Sequence, residues 1–189
     1  MIDNLPIVLV GMMGCGKTSI GRIIAKDKNY PFFDLDKEIE NNLELSVSEI
    51  FKKYGESFFR KKEYNILKNI LKKNKNNALI AVGGGAFCQN KTNKLIREKA
   101  FSVWIDVSDQ IIFNRVKNKR KRPLLLGMKN SDLKKQIKLL RAQRYNWYVS
   151  ADLRIKLYNL PLSESARMAE NKIDNHIEKK NIIERKTIV

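Results

Sequence analysis

The stretch that most constrains this chain is "IVLVGMMGCGKTSIGR", residues 7–22. A run of β-branched and leucine side chains gives way to a Gly-x-x-x-x-Gly-Lys-Thr loop, with Gly11, Gly16, Lys17 and Thr18 at the diagnostic positions. An amphipathic segment, "TSIGRIIAKDK", follows it. Strand, loop and helix in that order form a cradle for phosphate. Glycine lets the backbone turn tightly and bring its N–H groups close to phosphate oxygens. Lys17 then reaches the β- and γ-phosphates, the Thr18 hydroxyl holds Mg²⁺, and the helix starting near Gly16 turns its positive end toward the anion. A mononucleotide is the implied ligand. What happens to its γ-phosphate stays open, because switches, motors, transporters and kinases share such loops.

The rest of the chain narrows the setting. Its 189 residues suit one domain with a substantial core. No segment approaches the ~18 apolar residues of a membrane span. The start, "MIDNLPIVLVG", enters a strand directly, without a basic region or cleavage site, so a cytoplasmic location is expected. The two cysteines, Cys15 and Cys88, fit a reducing compartment better than a disulfide framework. Cys15 reads as a small loop residue rather than a nucleophile, since such a loop works through its backbone.

The formal charge of +18 raises nucleic-acid binding as a sharper reading. The lysines are scattered ("KKNKNN", "NKRKRP", "EKKN"), and no aromatic pattern for base stacking accompanies them. Solvated basic faces, together with a site for anionic substrates, account for the charge more simply. Neither a specific nucleic acid nor a membrane is expected as a partner.

The element order is that of an α/β fold. Strands are expected at Ile7–Val10, Pro31–Asp34, Ala78–Val82, Ser102–Val107 and Leu153–Leu157, mostly apolar as a covered parallel sheet requires. Helical patterns lie between them. "SVSEIFKKYG" opens with Ser46 and Glu49 spaced as a capping box and closes at Gly55. "ESFFRKKEYNILKNILKK" and "SDLKKQIKLLRAQRYNWYV" show apolar residues at helical spacing. Between two helical patterns, five of the six residues 117–122 are Lys or Arg, with Pro123 and Gly127 after them, which reads as a mobile loop. "SESARMAENKIDNHIEKK" reads as a terminal amphipathic helix before a frayed basic tail, and His176 as a solvated residue within it.

Three stretches bear on an acceptor. In "FFDLDKEIE" the second strand ends near Asp34 and Asp36, at the carboxyl edge where open parallel sheets bind ligands. One carboxylate there can orient Mg²⁺ through its water, and the other can accept from an acceptor hydroxyl. A helix N-cap explains one carboxylate, Asp36, but not two. In "VGGGAF", Gly83, Gly84 and Gly85 clear side chains from the backbone beyond the third strand. Arg60, Arg122 and Arg144 sit in hydrophobic contexts, where arginine forks grip carboxylate or phosphate.

Taken together, "GMMGCGKTSIGR", "DLD", "GESFFRKKE", "GGG", "RPLL" and "RYNWY" resemble shikimate kinases in order and approximate spacing, over residues 7 to about 157. The resemblance implies a five-stranded parallel sheet of order 2-3-1-4-5 flanked by helices, of the phosphate-loop NTPase type, in a single kinase domain. It implies a substrate-binding helical region over 36–65, a lid at about 117–130 and, beyond the family pattern, a basic tail at about 178–189. It also implies that ATP is held by Gly14, Cys15, Gly16, Lys17, Thr18, Ser19, Arg115 near adenine and the lid residue Arg122. Shikimate falls to Asp36, Arg60, Gly84, Gly85 and Arg144, and Mg²⁺ to Thr18 and, through water, Asp34. Lys17, Asp36 and Arg122 carry the catalysis. The implied reaction gives shikimate 3-phosphate and ADP, by a monomer. A sibling small-molecule kinase such as a gluconate kinase, a nucleoside-monophosphate kinase, or a nucleic-acid-binding phosphate-loop protein are the rival readings.

Overall fold

The computed structural model describes residues 5–117 and 129–187. Five strands, β1 (Ile7–Val10), β2 (Phe32–Asp34), β3 (Leu79–Ala81), β4 (Phe101–Asp106) and β5 (Leu153–Lys156), form one sheet in the order β2-β3-β1-β4-β5. Every pairing is parallel. The three central strands are buried at every position, as expected where helices cover both faces. The edge strands β2 and β5 are only partly buried, and β5 alternates apolar with charged side chains.

Among the described residues, seven α-helices connect or follow the strands: α1 (Lys17–Asp27), α2 (Leu35–Leu43), α3 (Val47–Lys73), α4 (Asn90–Lys99), α5 (Asp109–Val116), α6 (Asn130–Val149) and α7 (Leu162–Thr187). Local chemistry sets several of their ends. The capping box at α3 is formed, with Ser46 accepting from the Glu49 N–H and Glu49 accepting from the Ser46 N–H. Gly55 breaks α3 with φ 77° and ψ 173°, which leaves a short helix leaning on α2 and a long one bearing the "FFRKKE" face. Asp34, not Asp36, caps α2, accepting from the Lys37 N–H.

Two expectations change at the C-terminal end. Helix α7 continues to Thr187, so residues 178–187 are helical rather than a frayed tail. His176 is not a plain solvated residue: its ring lies 5.4 Å from that of Phe101, and burial holds its pKa below the usual value. Helix α7 packs along α1, where Lys28 reaches Asp174 at 2.6 Å and Glu170 at 3.6 Å. Among the described residues, no helix is long and apolar enough to cross a membrane.

Candidate active site

The carboxyl ends of β1, β2 and β3 lie side by side, because the order β2-β3-β1 makes these strands neighbours. Everything chemically notable gathers there. The loop after β1 wraps the start of α1, and Gly16 is the N-cap of that helix, at φ +107°. A side chain there would be strained, and the helix would lose its close entry into the loop. Lys17 is almost fully buried and donates to the Gly11 carbonyl at 2.8 Å and the Met12 carbonyl at 3.0 Å. Its ammonium is therefore held over the loop by the chain's own backbone.

A cavity of about 430 Å³ opens on this loop, and Gly14, Gly16, Lys17, Thr18, Ser19 and Arg115 line it. Arg115 comes from α5 and donates to the Cys15 carbonyl at 3.0 Å and the Gly14 carbonyl at 3.4 Å, pinning that helix to the loop. Cys15 itself is fully buried, so it faces the core, and only its backbone belongs to the loop surface. Leu160, from the β5–α7 connection, and Leu162 and Ser165, from the start of α7, complete the lining. No local pattern marks these three; only the return of the chain after β5 brings them here.

A second cavity, of about 370 Å³, adjoins the first at Thr18, which lines both. Asp34 and Asp36 border it from β2 and the first turn of α2, Arg60 and Glu63 from α3, Gly83–Gly85 from the turn after β3, and Arg144 from α6. The Thr18 hydroxyl donates to Asp34 Oδ2 at 2.7 Å, so a hydroxyl and a carboxylate oxygen stand together at the junction of the two cavities. Such a hard-oxygen pair suits Mg²⁺, which keeps most of its waters and takes few protein ligands.

The triple glycine is explained by crowding. A Cβ on Gly85 would stand 2.5 Å from Arg60 Nη2, and one on Gly83 would stand 2.9 Å from Glu63 Oε1 and 3.0 Å from Asp36 Oδ1. At Gly84 it would approach the Met13 amide at 3.1 Å and Arg144 Nη1 at 3.3 Å. The backbone here fits only without side chains. None of the three has a positive φ, so close approach and not a turn conformation demands glycine.

The electrostatics are those of an anion site with internal counter-charges. Arg60 donates from Nε and Nη2 to Glu56 at 3.1 and 2.9 Å, and from Nη1 to Glu63 at 2.8 Å. Burial alone would lower the Arg60 pKa, but Glu63 and Glu56 outweigh it and raise the value. Glu63 is completely buried, and burial pushes its carboxyl up to about 7 against the pull of Arg60. Glu63 Oε1 and Arg144 Nη1 are both buried without a hydrogen-bond partner. Tyr148 donates to the Gly84 carbonyl, and burial raises its pKa, so it stays a phenol. Burial also pushes the Cys88 thiol up to about 11, which leaves it unreactive.

Gly14, Gly16, Lys17, Thr18, Ser19 and Arg115 thus meet at one cavity, and Asp34, Asp36, Arg60, Gly84, Gly85 and Arg144 at its neighbour. Arg122 lies outside the described residues. Two residues inside the recognised motifs went unassigned. Glu63 sits three residues after Arg60 and seven after Glu56, a helical spacing that signals one charged face. Tyr148 sits one turn beyond Arg144 on α6.

Residues 13–181 match the family model described as shikimate kinase. The chain belongs to the shikimate kinase family. The shikimate kinase of Rhodopseudomonas palustris is 40% identical over 160 residues, 85% of this chain and 76% of that protein. The crystal structure of shikimate kinase from Bacteroides thetaiotaomicron superposes with a TM-score of 0.85 at 29% identity, covering 93% of this chain and 99% of that one. Shikimate kinase from Acinetobacter baumannii, solved in complex with shikimate, superposes with a TM-score of 0.83 at 29% identity, covering 93% and 94%. The five-stranded order is therefore a family property, and the two-cavity site lies within the matched residues.

Proposed function

We propose that this chain transfers the γ-phosphoryl group of ATP to the 3-hydroxyl of shikimate, giving shikimate 3-phosphate and ADP. A bond forms between the acceptor oxygen and the γ-phosphorus, the bond from phosphorus to the bridging oxygen breaks with its electron pair staying on ADP, and the hydroxyl proton passes to solvent. One observation carries the reading. Arg144 presents a buried, unpartnered Nη1 beside Gly84, in a cavity that Arg60 also borders and that adjoins the phosphate loop at Thr18. A carboxylate is the ligand that two arginine forks accommodate best.

The placement of the described residues supports these roles. Lys17 neutralises charge on the transferring group, and Arg115 flanks the nucleotide from α5. Thr18 and, through water, Asp34 would hold Mg²⁺, which would neutralise charge on the phosphates. Asp36 packs against Gly83 on the wall of the acceptor cavity, where it orients the hydroxyl. Gly84 and Gly85 let the acceptor approach the backbone. The resemblance assigns Arg122, outside the described residues, to the phosphates. Both cysteines are free, which suits the cytoplasm.

The decisive assay is ADP release with shikimate, compared with gluconate, AMP and no acceptor. Shikimate alone should raise the rate above the blank. A rate no higher than the blank would refute the reading.

A further inference from the structure

Arg141 lines neither cavity, yet it ties their walls together. Its three nitrogens all find partners in the turn from β4 into α5: Nη1 donates to Asp106 at 2.9 Å, Nε to Asp109, and Nη2 to the Val107 carbonyl. Asp106 is the last residue of β4 and Asp109 the first of α5. One guanidinium on α6 therefore fixes both a strand end and a helix start more than thirty residues away in sequence.

What hangs on those two helices makes the clamp functional. Helix α5 carries Arg115, which holds the phosphate loop at Gly14 and Cys15. Helix α6 carries Arg144, which enters the acceptor cavity beside Gly84. Arg141, Arg144 and Tyr148 stand at i, i+3 and i+7, on one face of α6. Tyr148 anchors that face to the Gly84 carbonyl on the far side of Arg144. The acceptor arginine is thus suspended between two tethers, one turn to either side. Its own Nη1 has no protein partner to hold it.

We infer that Arg141 is a positioning residue: it sets the placement of Arg144 in the acceptor cavity and couples it to Arg115 at the nucleotide. The inference rests on the proposed shikimate phosphorylation. Arg154 supplies the contrast. It grips the other oxygen of the same carboxylate, Asp106 Oδ2, at 2.7 and 3.1 Å, and lies over the Tyr145 ring of α6 at 6.0 Å, but it makes no bond to α5. If Arg141 served only to neutralise Asp106, the two arginines would be equivalent.

The test is steady-state kinetics on the full chain, with thermal midpoints measured in parallel. Arg141→Gln should raise the KM for shikimate about tenfold or more and lower kcat, since a misplacement of about 1 Å costs up to 10²-fold. Asp109→Asn should move the shikimate KM in the same direction, by removing the α5 end of the clamp. Arg141→Lys keeps a charge on Asp106 but cannot span three acceptors, and should fall between Gln and the parent. Arg154→Gln should move the shikimate KM by less than Arg141→Gln does, because it leaves Asp109 of α5 bonded to Arg141. A shikimate KM within twofold of the parent in Arg141→Gln, or an equal rise in Arg154→Gln, would overturn the inference. Should Arg141→Gln fail to fold, Asp109→Asn decides, and an unchanged KM there is equally fatal. Absence of shikimate turnover in the parent protein would instead strike the proposed function.

Discussion

Gly85→Ala isolates the acceptor arginine with a single methyl group. The residue has φ −103° and ψ −8°, a conformation alanine adopts readily, so the backbone supplies no strain of its own. The added Cβ stands 2.5 Å from Arg60 Nη2, 3.1 Å from Cζ and 3.3 Å from Nη1. Ordinary contact begins at about 3.5 Å, so the guanidinium must retreat by roughly 1 Å. It cannot swing freely, because its nitrogens are bonded to Glu56 and to the buried Glu63. A shift of about 1 Å in a group that grips substrate costs up to 10²-fold, so kcat/KM for shikimate should fall by about one to two orders of magnitude. The KM for ATP should stay within twofold, because Gly85 and Arg60 border the other cavity. The assay is coupled ADP release with each substrate varied in turn, repeated in an Arg60→Ala background. There the methyl has no guanidinium to displace, and its effect should largely vanish, a coupling that a double-mutant cycle measures directly. An unchanged kcat/KM in Gly85→Ala, or an undiminished loss in the Arg60→Ala background, would refute the reasoning.

Lys17→Ala should reduce kcat by roughly 10²-fold or more, the usual cost of losing an electrostatic stabiliser of the transition state, and near-normal turnover would remove the loop from the chemistry. In a Mg²⁺ titration at saturating ATP, Asp34→Asn should be partly rescued by excess metal, while Asp36→Asn should not; the reverse pattern would exchange their roles. Glu63 gives a pH signature. Its folded pKa of about 7 lies above the ordinary 4.5, so the native state keeps a proton that the unfolded chain releases, and stability falls as pH rises from 4.5 to 7. Glu63→Gln lacks this titration, so its stability relative to the parent should improve between pH 5 and pH 8 by about 1–3 kcal/mol in denaturant melts, and a flat difference would contradict the raised pKa.

Where a few consecutive residues suffice, the sequence carried the information. The strand–loop–helix unit, the capping box of Ser46 and Glu49, the break at Gly55 and the buried central strands are all local patterns, and the structure has them where the residues indicate. The family motifs carried the strand order, which local pattern cannot, because pairing depends on which faces cover which. Within the motifs, residue types announced an anion site, yet geometry reassigned some of them. The sequence pointed to Asp36 as the helix cap, whereas Asp34 ends β2 as the cap of α2 and Asp36 lies in the first turn of that helix. The three glycines announced close approach, but only packing showed that Arg60, Asp36, Glu63 and Arg144 are what approach them. Burial was likewise invisible in the string of letters. Glu63 reads as one more charge in "FFRKKE", and His176 as one more polar residue in a basic helix, until neighbouring elements bury the first fully and the second in part. The clamp of Arg141 lies deepest of all. Its partners are 32 to 35 residues away, and no spacing rule joins an arginine in mid-helix to a strand end and a helix start. Sequence fixes what each side chain can do chemically, but contact, desolvation and relative placement arise only when distant segments close on one another.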